Sequence, residues 1–483
     1  MKARELANLG VPTGEPLKLA VKACVRASEA GMDRDSIRAM IAGCAKNPAG
    51  YVDGAIFGQL ARAIQGEVQA LTHRLEPAPH KIWGKGLEAG ALQQLRNACD
   101  LPVAAAAALM PDAHQGYGLP IGGVLATRNA VIPYAVGVDI ACRMKMTVYD
   151  IPVAELEKPD RREKLINAIE QETIFGMGGA FKKPRTHEVL DADWSISPVT
   201  HRGYQKAASQ LGTSGSGNHF VEWGILTLEH DVREPSGASE AGSGWNFDLP
   251  AGRYLALLSH SGSRGTGAAV CDHYSKIAMK RLEGHLAPEL RHLAWLDMDS
   301  GDGQEYFAAM NLMGQYASAN HACIHTHIAK NLGVRAIAGV ENHHNFAWRE
   351  THDVGNGPEE FIVHRKGATP AGAGVLGVIP GSMATPGFVV RGLGGAGSLR
   401  SASHGAGRVM SRTKARESFA WGNVRRELAD AGVQVLSAGI DEVPGVYKDI
   451  HSVMESQRDL VEVLARFDPK IVKMAPEGER AED

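Results

Sequence analysis

Apolar residues recur at helical spacing through 17–45 (LKLAVKACVRASEAGMDRDSIRAMIAGCA). This predicts two helices, with Asp33 or Asp35 capping the second. A further helix is predicted over 60–73. PAPHK at 77–81 interrupts the pattern, so residues 1–77 read as a small helical accessory segment and 78–483 as the main domain. Beyond Ile82 the texture changes to short β-rich runs separated by glycine-rich loops. The segments 124–141, 219–228 and 253–260 read as strands, the first ending in a tight turn. Residues 305–332 read as one long helix and LVEVLARF, 460–467, as another. Strands and helices mix without a βαβ period, which predicts an α+β fold.

Composition narrows the class. The chain is 44% hydrophobic and 22% charged over 483 residues, and no apolar run is long enough to span a bilayer. Six widely spaced cysteines form no CxxC pair, which argues against a disulfide framework or zinc ribbon and fits a reducing cytoplasm. The N-terminus has no apolar signal core, so no export is expected. A net charge of −3 means that any polyanion must be held by a local patch.

Residues 361–416 supply such a patch, with eight Lys/Arg, twelve glycines and no Asp or Glu. The cations alternate with PGSM, GLGGAG and SHGAGR, loops whose free N–H groups suit phosphate oxygens. Arg408 and Arg412 stand one helical turn apart and could clamp phosphates together. Familiar nucleotide motifs are missing: the Gly84-Lys85 pair is followed by Gly86, so there is no P-loop, and KxDG, HExxH and GxSxG are absent. His404 remains, in SASHGAGRVMSR before a predicted helix. An imidazole can attack phosphorus to form a phosphoramidate.

Four other places set ligand side chains in tight turns: Asp139 and Cys142 in GVDIACRM, His219 in GSGNHFVEW, His260 in SHSGSRG, and His344 in ENHHNFA. A helical turn would aim Asp139 and Cys142 at one point. Each histidine alone is more often a hydrogen-bonded packing residue than a ligand. Three histidines, an Asp and a thiolate suit zinc as readily as manganese.

Together these segments resemble the RNA-splicing ligase RtcB family. The likeness runs in order through PDAHQGYGLPIGGV, GVDIACRM, GSGNHFVEW, HSGSRG, HHN, HRKGATPA, PGSM, SHGAGRVMSR and YKDIHSVMESQRDLVEVLARFDPKIVK. It implies a family-specific α+β fold, with β-sheets, surrounding helices and two manganese ions in a central cleft. Cys142 would bridge the ions, with Asp139 and His219 completing one site and His260 and His344 the other. His404 would be guanylated by GTP. The guanylate pocket would draw on Asn218, Phe220, Glu222, Asn345, Pro380, Gly381, Ser382, Met383, Gly405, Ala406, Gly407 and Lys473. Arg264, Arg408 and Arg412 would face RNA phosphates. The implied activity joins RNA 3′-phosphate or 2′,3′-cyclic phosphate ends to 5′-hydroxyl ends, in tRNA splicing or RNA repair. A need for an activating protein stays open.

Three features depart from the family pattern. Ala141 and Arg143 replace glycines of the usual GVDIGCGM, and Arg143 is expected either to depress the Cys142 pKa or to intrude on the RNA path. Gly387 stands where a serine often meets the guanine. The first 77 residues have no counterpart in the family core. These departures suggest a paralogue with an altered RNA substrate. Two other functions fit parts of the pattern: a metal-dependent cyclic phosphodiesterase or phosphohydrolase, which needs no His404, and a non-catalytic RNA-end sensor.

Overall fold

A computed structural model of the chain describes residues 1–72, 76–234 and 247–479. The N-terminal helices Ala3–Ala7, Glu15–Glu29, Arg34–Lys46 and Gly58–Thr72 gather around Leu6, Ile41, Leu60 and Ile64. Asp33 caps the third of them, its Oδ1 accepting from the Asp35 and Ser36 amides at 3.0 and 2.9 Å. The last includes most of the helix expected over 60–73; His73 lies outside the described residues.

Two sheets carry the remainder. The smaller has five strands in the order His80–Ile82, Ala104–His114, Ile121–Thr127, Pro358–Lys366, Asn345–Asp353. The larger runs Ala336–His343, Arg143–Tyr149, Gly252–Ser261, Phe220–Leu228, Val461–Met474, Gly387–Gly392, Leu376–Ile379, with Gln434–Ser437 also on Val461–Met474. Only the pairs His80–Ile82 with Ala104–His114 and Gln434–Ser437 with Val461–Met474 are parallel in these two sheets. The fold is thus α+β and mainly antiparallel, as the lack of a βαβ period predicts.

The helix expected over 305–332 extends over Gly301–Leu332, capped by Ser300 at its start and by left-handed Gly333 at its end. Its buried face includes Tyr306, Met313, Tyr316 and Ile324, and it lies against the larger sheet through Tyr149, whose hydroxyl donates to the His325 carbonyl at 3.0 Å.

LVEVLARF is not a helix. It opens the longest strand of the larger sheet, Val461–Met474, paired on both sides. Over 465–471, Ala465, Phe467, Pro469 and Ile471 are buried while Arg466 is exposed and Asp468 and Lys470 are half-buried. That two-residue alternation is the strand's own period; the short apolar run fitted the helical period too. Glu462 meets Arg391 of the next strand at 2.9 Å.

Candidate active site

The strand order Ala336–His343, Arg143–Tyr149, Gly252–Ser261, Phe220–Leu228 brings four neighbouring strand ends together. Cys142 precedes the second, His260 lies near the end of the third, and His219 precedes the fourth. His344 separates a strand of the larger sheet from one of the smaller, so it sits at the seam between them. Its amide donates to the Cys142 carbonyl at 3.0 Å.

The five candidate metal ligands therefore converge. Cys142 Sγ lies 3.4 Å from His219 Nε2 and 3.1 Å from His260 Nε2. His219 Nε2 is 3.1 Å from Asp139 Oδ2, and His260 Nε2 is 3.3 Å from His344 Nε2. Two ligands about 2.1 Å from one ion stand roughly 3.4 Å apart in a tetrahedral arrangement, so the donor spacing fits a metal. His219 Nδ1 bonds to the Ser214 carbonyl at 2.9 Å and His260 Nδ1 to that of Asn218 at 3.1 Å. Both bonds leave the Nε2 lone pair for the centre. Burial holds His260 and His344 well below the ordinary histidine pKa, so both rings are held neutral, the form in which imidazole ligates a metal. His344 Nδ1 has no hydrogen-bond partner among the described residues. Cys142, His219 and His260 alone offer three ligand atoms within 4.8 Å.

Asp139 and Cys142 do not lie on a helical turn. They close a tight turn, Cys142 N donating to the Asp139 carbonyl at 3.2 Å, with Ala141 at φ 58°. Alanine occupies the left-handed backbone region that glycine takes without steric cost. Asp139 also accepts from the Ser263 amide at 3.1 Å. Burial raises its pKa, but neighbouring His219 and the Arg264 charge outweigh that and hold it below the usual carboxylate range.

His404 follows the strand Ser401–Ser403, and the next helix begins only at Arg412. Its partner is Asp112, 292 residues earlier and fully buried in Ala104–His114. Asp112 Oδ2 takes His404 Nδ1 at 2.6 Å and the amides of His404 and Gly405 at 3.1 and 3.3 Å. Burial alone would raise the Asp112 pKa; the charges of His404 and Lys448 reverse this and hold it down. An ionised Asp112 fixes the proton on Nδ1 and leaves the Nε2 lone pair free. The ring stands 5.1 Å from that of His344, centroid to centroid.

A cavity of about 560 Å³ joins these groups. Its wall includes every candidate ligand, guanylate-pocket and phosphate-facing residue from the sequence except Lys473 and Arg264. In the strand Val461–Met474, Val472 and Met474 face the cavity, so Lys473 points to the other side and bonds Glu170 at 2.6 Å. Arg264 is buried, its Nε 3.3 Å from Thr213 Oγ1, and a Cβ on Gly215 would strike both its guanidinium and the His219 ring. Arg408 and Arg412 do line the cavity but are not one helical turn apart. Arg408 pairs with Glu442 at 3.2 Å; Arg412 pairs with Glu442 and, at 3.3 Å, with Asp441.

Arg143 neither flanks the thiolate nor enters the cavity. Strand alternation sends it to the opposite face, where Nε meets Glu341 Oε1 at 2.9 Å and an NH1 bond reaches the Gly314 carbonyl, also at 2.9 Å. Gly387 lines the cavity, and a Cβ there would lie 3.2 Å from Pro380 Cα.

Three cavity residues had no role assigned from the sequence, Asp112's neighbour His114, Glu442 and Tyr447, and Lys366 figured there only as one cation of the 361–416 patch. Burial lowers the Lys366 pKa to about 8 and that of His114 to about 4. An isolated carboxylate inside the apolar run AAAAALMPDA was the one available signal for Asp112.

A buried thiol–imidazole cluster beside a carboxylate-anchored histidine defines an enzyme class suited to metal-assisted group transfer at phosphorus. The sequence model of the family described as tRNA-splicing ligase RtcB matches residues 94–474. The RNA-splicing ligase RtcB of Escherichia coli K12 is 35% identical over 424 residues, covering 80% of this chain and 95% of that protein. The tRNA-splicing ligase RtcB of Nanoarchaeum equitans is 31% identical over 459 residues, 82% of this chain and 94% of its own. The RNA-splicing ligase RtcB of Mycobacterium tuberculosis H37Rv is 32% identical, covering 78% and 98%. The chain belongs to the RtcB family. No helix among the described residues is long and apolar enough to cross a membrane.

Proposed function

We propose that this chain seals RNA by joining a 3′-phosphate or 2′,3′-cyclic phosphate end to a 5′-hydroxyl, using GTP and manganese, through a guanylated His404. Membership of the family supports the RNA-ligase class. The observation that carries the finer reading is the Asp112–His404 pair, which turns Nε2 toward a cavity that five metal-ligand side chains share.

In the first step His404 Nε2 attacks the α-phosphorus of GTP. An N–P bond forms, the bond to the bridging oxygen breaks, and pyrophosphate leaves with its electron pair. Asp112 stabilises the positive charge that spreads over the ring. A 3′-phosphate oxygen of the RNA then takes the GMP and frees His404; a cyclic phosphate is first opened by water. Finally the 5′-hydroxyl attacks the activated phosphate, and GMP departs. Asp139, Cys142, His219, His260 and His344 would hold the two manganese ions, which would supply neutralisation of phosphoryl charge. Asn218, Phe220, Glu222, Asn345, the 380–383 turn and the 405–407 loop would hold the guanylate. Burial raises the Glu222 carboxyl pKa well above the ordinary value, so it can enter that pocket as a neutral donor. The four N-terminal helices are proposed as an accessory unit outside this chemistry.

Sealing of a 2′,3′-cyclic-phosphate RNA by wild type and His404→Ala tests the reading. Loss of joining with retained ring opening supports it. Unchanged turnover in the variant would assign the cavity to a cyclic phosphodiesterase instead.

A further inference from the structure

A second concave surface, about 570 Å³, lies between the helices Pro198–Gln210 and Arg264–Arg281. Small residues let the helices approach: a Cβ on Gly203 would stand 2.9 Å from Thr266 Cγ2, and one on Gly265 would overlap the Lys206 ammonium. Arg202, Lys206, Lys276 and Lys280 line the groove with a single acid, Asp272, and Lys276 already pairs with that acid at 2.7 Å. Arg202, Lys206 and Lys280 are exposed and have no acidic partner among the described residues.

The position of this groove gives its charge a direction. Its Lys206 end lies at Gly265, two residues beyond Ser263, whose amide holds Asp139. Arg264, between them, packs against His219. From Gly265 to Lys280 the helix rises about 22 Å. A file of unneutralised cations therefore leads away from the loop that supports the metal ligands. Like charges brought together without counter-charges raise one another's energy, and a row of phosphates relieves that repulsion by releasing its counterions.

We propose that this groove binds the phosphodiester backbone of an RNA strand whose end is being joined in the cavity. The proposal rests on the ligase reading for its biological meaning. It adds a site for the body of the RNA, separate from the reacting end. Contacts here are sequence-independent, because ammonium and guanidinium groups read phosphates and not bases.

The test is equilibrium binding, by fluorescence anisotropy without GTP, of 3′-phosphorylated oligoribonucleotides 4 and 20 residues long. Wild type is compared with the Arg202→Glu/Lys206→Glu/Lys280→Glu variant and with the corresponding triple Gln variant, which remains informative if charge reversal impairs folding. The 20-mer is expected to bind wild type more tightly than the 4-mer, and both variants to lose most of that advantage. For three lost contacts the slope of log affinity against log salt should shrink by about 2, at roughly 0.7 per single-strand phosphate. GMP transfer to the protein should be unchanged in both. An unchanged 20-mer affinity and salt slope would overturn the proposal. So would displacement of RNA by polyglutamate at equal charge concentration, which would assign the groove to an acidic protein. Because binding is read without sealing, failure of the groove and failure of the ligase reading are separable: the second shows as absence of any GMP adduct on wild type.

Discussion

The 361–416 segment and the groove between the Pro198–Gln210 and Arg264–Arg281 helices both gather cations, but their charges are managed in opposite ways. In the first, five of eight cations are ion-paired: Arg365 with Glu350, Arg391 with Glu462, Arg408 with Glu442, and Arg412 and Arg416 with Asp441. All the acids lie outside the segment. In the second, three of four cations keep their charge open to solvent. The run that stands out in the sequence is thus largely ion-paired, and the groove that the sequence does not reveal has the free field. Composition over a window counts charges without counting partners, and pairing decides which charges a polyanion can use.

The largest expected effect concerns a buried pair at the reacting histidine. Asp112→Asn should slow GMP transfer to the protein by about 10³-fold or more, because the amide no longer fixes the Nδ1–H tautomer or stabilises the charged ring. Single-turnover kinetics checks this, and a near-wild-type rate would remove Asp112 from the account.

Next, Glu442→Ala should lower stability by about 3 to 5 kcal/mol by leaving Arg408 and Arg412 without their shared buried carboxylate. The triple Glu variant of the groove should stay within about 0.5 kcal/mol of wild type, since exposed unpaired cations hold nothing in place. Denaturant melts of the two side by side measure the contrast. Equal losses would mean that the two regions do not differ as described.

A smaller effect tests the charge that burial makes conditional. Lys366 has a pKa lowered to about 8, so it is protonated below that pH and neutral above it. GTP affinity should therefore fall by about tenfold as pH rises from 7 to 9, the worth of one charged hydrogen bond. Lys366→Arg, which keeps its charge, should flatten the profile in a calorimetric titration. The smallest effect is expected at Ala141. Relieving its left-handed backbone with Ala141→Gly should gain about 0.5 to 1 kcal/mol, the steric saving less the added chain entropy of glycine.

Much of the architecture was legible because it depends on local pattern. The long helix, the strands 219–228 and 253–260, and the Asp33 cap follow from periodicity and capping chemistry over a few residues. The candidate metal ligands were legible as a set of residue types, while their convergence required strand order that no local signal carries. What failed were questions of side-chain direction. Lys473 and Arg143 sit one step along a strand from cavity residues and face the other way, since successive strand residues point to opposite sides. LVEVLARF satisfied two periods at once over too short a stretch. The Asp112–His404 pair spans 292 residues, and the groove joins two helices some sixty residues apart in the chain.

The central claim is that His404 carries the nucleotide. Intact mass of the purified protein after incubation with GTP and manganese, beside His404→Ala and ATP controls, tests it most directly. The account predicts a gain of one GMP on wild type alone, labile to acid as a phosphoramidate. A folded, metal-loaded wild type that takes up no nucleotide, or a His404→Ala variant that takes up as much, would contradict it.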